Sequence, residues 1–116
     1  MKCLRVPAEF QHVYRKGKRY DGTYITVFVV DNEISQHRLG VTASRKAVGK
    51  AVQRNRAKRL LREAFRSNEE NLQGLTRSYD WVLNAKATLV NTKLDAPARE
   101  LAEIVQEIGI REVASL

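Results

Sequence analysis

A chain of 116 residues with 43% hydrophobic and 29% charged side chains has the make-up of one folded domain over residues 1–116 with a modest core, which sets intrinsic disorder aside. The formal net charge of +8 is the outlier, and it points to a polyanionic partner, nucleic acid before an anionic membrane surface. Cys3 is the only cysteine and no apolar run reaches membrane-spanning length, so an internal disulfide is excluded and a soluble, non-exported, cytoplasmic protein is expected.

Pro7 to Gly17 reads as a short helix, opened by proline, which gives up no needed N–H there, and closed by glycine. Its Phe10, Val13 and Tyr14 fall on one face. Thr23 to Asp31 is rich in β-branched and aromatic residues and predicts a strand, with Ile25, Val27 and Val29 on one side and Tyr24, Thr26, Phe28 and Val30 on the other. A polar loop opens at Asp31-Asn32-Glu33, and His37 to Ser44 predicts a second strand, hairpin-paired to the first.

The strongest helical pattern runs from Ala51 to Arg66. At 100° per residue, Ala57, Leu60, Leu61, Ala64 and Phe65 share one arc, while Asn55, Arg56, Lys58, Arg59, Arg62 and Arg66 fill the other. Arg54 falls near the apolar edge, where it would point into a neighbouring cleft. Asn68 to Ser78 reads as polar linker, and Tyr79 to Lys86 as a third strand with Trp81, Leu83 and Ala85 on one side. Asp95 caps a final helix whose stripe is Leu101, Ile104, Val105 and Ile108 and which Gly109 is expected to end. The order α-β-β-α-β-α implies a two-layer α/β sandwich with a small mixed sheet, and a right-handed βαβ crossover is the default.

The charge is local. From Arg38 to Arg66 ten cations (Arg38, Arg45, Lys46, Lys50, Arg54, Arg56, Lys58, Arg59, Arg62 and Arg66) face one acid, Glu63, so this stretch carries more than the net charge of the whole chain. A merely solvated helix face interleaves both signs, because like charges one turn apart repel. Arginine predominates, and its planar fork suits phosphate and stacked bases better than lysine's point charge. Phe10, Tyr14 and Phe28 are either core or, if their side of the sheet is open, a stacking cleft for a single strand.

Other chemistries find little support. His12 and His37 are the only histidines for a metal-free nuclease, and no carboxylate cluster suggests a two-metal one. Cys3 sits near a terminus with no histidine nearby to activate its thiol. A plain RNA-binding module remains open on composition, whereas DNA binding would need a second helix or a half-site dimer that the sequence does not show.

Arg54-Asn55-Arg56, followed by Lys58-Arg59 and Arg62-Glu63-Ala64-Phe65, resembles the signature of the bacterial ribonuclease P protein subunit. The likeness extends to Phe10-Gln11-His12-Val13-Tyr14-Arg15-Lys16-Gly17 and to Arg38 through Lys46, covering roughly residues 5 to 108. It implies a ribosomal-protein-S5-domain-2-like α/β fold with a left-handed βαβ crossover, in place of the right-handed default. It also implies a protein that is inactive alone and supports a catalytic RNA in removing the 5′ leader of precursor tRNA. The Mg2+ would be held mainly by the RNA, with no catalytic residue, metal ligand or organic cofactor on the protein, and with neither membrane nor DNA as partner. Carried over by position, Arg45, Lys46, Lys50, Arg54, Asn55, Arg56, Lys58, Arg59, Arg62 and Arg66 would hold the RNA subunit. Phe10, Tyr14, Phe28 and Thr42 would line the leader cleft. Asn84 stands where the family is usually apolar, and Ala87 follows Lys86 where a proline or glycine is common.

Overall fold

The structure, a computed structural model, describes residues 2–115. The chain runs β1 (Lys2–Cys3), α1 (Pro7–Lys16), β2 (Lys18–Asp21), β3 (Ile25–Asp31), β4 (Arg38–Thr42), α2 (Arg45–Val48), α3 (Ala51–Ser67), α4 (Glu69–Gln73), β5 (Tyr79–Ala85), a 3-10 turn (Ala87–Leu89) and α5 (Asp95–Ala114). The predicted α/β succession is there, with two short strands and two short helices added.

The five strands form one mixed sheet in the order β1-β4-β5-β3-β2. β4 lies parallel to both β1 and β5, while β3 is antiparallel to both β5 and β2. The expected hairpin between β3 and β4 is therefore not formed, because β5 sits between them. β5 is buried along nearly its whole length, with Trp81 and Leu83 in the larger core and Val82 in the smaller one, and a strand packed on both sides belongs at the centre of a sheet. β4, α3 and β5 make the parallel βαβ unit.

Alternation along the strands splits the core in two. On one side, Ile25, Val27, Val29, Leu39, Trp81, Leu83 and Ala85 pack against Leu60, Leu61 and Phe65 of α3 and Leu101, Ile104, Val105 and Ile108 of α5. On the other, α1 sets Val13 against Val82 and Leu4, with Phe10, Phe28 and Val30 around them. Tyr24 departs from its predicted side and packs on the larger core, since it precedes β3 in a turn tethered to α5. There the Glu100 carboxylate accepts the N–H groups of Thr23, Tyr24 and Ile25 at 2.7, 3.0 and 3.0 Å.

Two further expectations are corrected. The linker after α3 holds a helical turn, α4, anchored by Leu72 and by Asn68, which is buried and donates to the Ala64 and Ala98 carbonyls. Gly109 does not end the last helix, which continues to Ala114. Its final turn is held because Glu112, buried, accepts from the Thr76 and Arg77 N–H groups and, at 2.5 Å, from the Tyr79 hydroxyl. Burial and this bond to Glu112 together push the Tyr79 hydroxyl pKa well up.

Arg38 is the most consequential correction to the charge pattern. Its guanidinium donates to both oxygens of Asp80 at 2.7 and 2.6 Å and to Glu9 at 3.0 Å. That charge is spent inside the fold and does not contribute to an external surface. Burial acts to raise the Asp80 pKa, but the Arg38 fork and the Asn32 amide outweigh it and hold the carboxyl below the usual range. A carboxylate depressed in the folded state adds stability that is fully present above its unfolded pKa of about 4 and lost as pH falls through the folded value. Asp80→Asn is therefore expected to cost about 3 kcal/mol at neutral pH and to flatten the loss of stability on acidification below pH ~4. Urea denaturation across that pH range checks this, and an unchanged midpoint would contradict it.

Candidate nucleic-acid interface

The interface starts from how α3 is seated. Ala57, Leu60, Leu61, Ala64 and Phe65 are buried, and Phe65 meets the fully enclosed Trp81 edge-on with ring centroids 5.6 Å apart. Trp81 is pinned in turn: its indole N–H donates to His37 Nδ1 at 3.0 Å, which also accepts the Tyr79 N–H at 3.0 Å. His37 Nδ1 therefore carries no proton, and Nε2 faces the Leu72 carbonyl at 3.3 Å. Although His37 lines a groove of about 610 Å³ with Phe65, Arg66 and Leu72, both its nitrogens are committed to structure. That removes the acid–base role a protein nuclease would need from it.

With the apolar stripe seated, the cations face out. Arg45, Lys46, Lys50, Asn55, Arg56, Arg59, Arg62 and Arg66 are exposed, and Arg54 and Lys58 are partly covered. Among the described residues, no acid lies in ion-pair reach of any of these cations. Even Glu63, on the same helix, pairs with none of them. Arg56 donates to the Val90 and Thr92 carbonyls at 2.6 and 3.5 Å, fastening the segment after β5 to the start of α3. Arg54 is the partly enclosed member the helical wheel singles out, and its buried Nε has no hydrogen-bond partner among the described residues.

The approach to α3 is built by local rules. Ser44 caps α2, its hydroxyl accepting the Ala47 N–H at 3.1 Å, and Gln53 accepts the Lys50 N–H at 3.0 Å to open α3. Gly49 joins the two helices at φ 110°, where a side chain is strained, so the glycine is required by the backbone itself. Arg45 follows Thr42 by three residues, so the cations of α2 begin within about 10 Å of the end of β4.

The aromatic residues lie on the α1 side of the sheet. Phe10 sits over Gly40, where any Cβ would strike its ring at 2.5 Å, and Phe28 is half-buried with it in the smaller core. Phe28 is flanked by Tyr14, edge-on at 4.9 Å, and by the Arg19 guanidinium 5.7 Å from its centroid. Tyr14, 39% exposed, is the most open ring of the three. Beside it the register aligns Asp21, Thr26, Asn84 and Thr42 across four strands. Asn84 Oδ1 accepts the Tyr14 hydroxyl at 2.9 Å and the Thr42 hydroxyl at 2.6 Å, joining two predicted cleft residues through one the sequence pattern did not select. Thr26 donates to Asp21 at 3.0 Å, and Lys86 pairs with that carboxylate at 2.9 Å. The aromatic surface and the α3 strip thus lie on opposite sides of the sheet, connected round the end of β4 by Arg45 and Lys46.

Among the described residues, no three His, Cys, Asp or Glu side chains converge to hold a metal ion, and no helix is long and apolar enough to cross a membrane. The Ribonuclease P family model matches residues 2–109. The chain is 43% identical over 108 residues to the ribonuclease P protein component of Clostridium botulinum, covering 92% of this chain and 94% of that one. It is 37% identical over 105 residues to that of Coxiella burnetii, covering 90% and 80%. The RNase P protein from Thermotoga maritima superposes with a TM-score of 0.77 at 26% identity, covering 92% of this chain and 97% of that one. The Staphylococcus aureus RNase P protein does so at 0.75 and 28%, covering 93% and 94%.

Unpaired cations one turn apart repel in the free protein, and a bound anion relieves them. Sulfate should therefore raise the melting temperature by about 5 °C over chloride at matched ionic strength. The gain should shrink in the Arg59→Gln/Arg62→Gln variant. Identical melting in the two salts would contradict an unpaired strip.

Proposed function

The chain belongs to the ribonuclease P protein family, and on that premise we propose that it is the protein subunit of a ribonucleoprotein endonuclease that removes the 5′ leader of precursor tRNA. The observation that carries this reading is the outward strip of cations on α2 and α3 with no acid among the described residues in ion-pair reach. Such a strip suits the phosphates of a structured RNA, and Arg45, Lys46, Lys50, Arg54, Asn55, Arg56, Lys58, Arg59, Arg62 and Arg66 would hold the catalytic RNA there. The single-stranded leader would lie on the other side of the sheet, against Tyr14, with Phe10 and Phe28 supporting it and Thr42 at its rim. A ring partly open to solvent and flanked by polar groups suits an unstacked base.

The division of labour follows from charge. Catalytic RNA and substrate are both polyanions, and a cationic protein touching both screens their repulsion. On this reading the chain supplies binding and orientation, and cutting falls to the RNA with magnesium that the RNA holds. The work would be done in the cytoplasm, where precursor tRNA is made.

Reconstitution tests this. The purified protein alone should leave precursor tRNA intact, while catalytic RNA plus protein should outperform RNA alone, most clearly at low magnesium. Tyr14→Ala should weaken the complex with leader-bearing precursor by about tenfold and leave mature tRNA unaffected. Cleavage by the protein without RNA, or equal weakening for both tRNA forms, would overturn the proposal.

A further inference from the structure

We propose that Asn84, together with Thr42 and Tyr14, reads the ribose 2′-hydroxyl of the strand lying in the cleft, so that the protein itself distinguishes an RNA leader from a DNA one. The inference rests on the leader-binding reading and adds to it the group recognised and a residue that recognises it.

Asn84 is out of place by ordinary rules of sheet packing. It sits on β5, between Thr26 of β3 and Thr42 of β4, one position along that side of the sheet from the apolar Val82. Asparagine is a poor strand residue, and an apolar side chain would extend the smaller core here. Its Oδ1 is fully engaged, accepting both the Tyr14 and the Thr42 hydroxyls. Thr26, the remaining cross-strand neighbour, turns to Asp21 instead. Asn84 is only half-buried, and its Nδ2, which has no partner among the described residues, is not sealed from solvent and is free to donate to a ligand.

The cluster therefore presents an N–H donor beside two hydroxyl oxygens that keep lone pairs to accept with. A ligand group matched to it must donate and accept at a single atom. The ribose 2′-hydroxyl does both, whereas deoxyribose offers neither. A base edge is a poorer match: its donors and acceptors sit on separate atoms spread along the edge, whereas this cluster offers its one donor and its hydroxyl acceptors side by side, about the size of a single hydroxyl group. The contact would occur at sugar level beside Tyr14, whose exposed ring can stack the attached base.

The test uses the protein assembled with its catalytic RNA and precursor tRNA whose leader is either all-ribose or all-2′-deoxy, the tRNA body staying RNA. The wild-type complex should bind the deoxy-leader substrate about three- to tenfold more weakly. Asn84→Leu should bind the ribose leader about as weakly as the deoxy one, so that the preference disappears. Thr42→Val, which removes one hydroxyl and keeps the shape, should show an intermediate preference and serves if Asn84→Leu does not fold. Equal wild-type affinity for the two leaders would overturn the inference while leaving the leader-binding reading intact, provided both still bind more tightly than mature tRNA. An undiminished ribose preference in both variants would likewise overturn it, since the sugar would then be read elsewhere. No advantage from a leader of either sugar would overturn the inference and the reading beneath it together.

Discussion

Everything cationic on this surface depends on one seat: the apolar stripe of α3 pressed against Trp81 and its neighbours in the sheet. Five consecutively spaced side chains, from Ala57 to Phe65, fix the rotation of the helix. Burying the larger ones contributes about 1.5–3 kcal/mol each, while repulsion between like charges a turn apart costs a few tenths per pair. The hydrophobic term wins easily, and it holds the cations outward in an arrangement they would not adopt by themselves. The His37 and Tyr79 contacts around the indole make that seat rigid.

The same sheet sorts charge by position. Arg38, only a few residues from the strip in sequence, is drawn into the Asp80–Glu9 network at the start of β4. At the other end of that strand, Thr42 belongs to the polar row with Asn84, and the chain then turns through Ser44 into the exposed cations of α2. One strand therefore carries a structural ion pair at its beginning and reaches both candidate RNA surfaces at its end.

Much of this was legible in the sequence, for reasons that are local. The α3 stripe, the alternation in β3 and the proline-to-glycine framing of α1 are periodic or punctuated signals that no distant residue needs to complete. What was hidden depends on distant partners. β1 and β2 are short, polar and at the sheet edges, so they carry no alternation. The central place of β5 follows from comparing burial among strands, and the extension of α5 past Gly109 depends on Glu112 finding the loop before β5. At the candidate site, the exposed cations could be read from the helical wheel, but Arg38's partner could not. Asn84 was visible only as an oddity, because its role as a junction requires knowing that Thr42 lies across from it.

If the α3 strip lies along phosphates, as proposed, binding to the catalytic RNA must depend steeply on salt. Each phosphate contact releases counterions, so the logarithm of affinity should fall linearly with the logarithm of salt concentration. Replacing Arg59 and Arg62 by glutamine should make that slope shallower by about two contacts' worth. A slope that stays the same in the double variant would mean that these side chains do not face the RNA, and the account would fail.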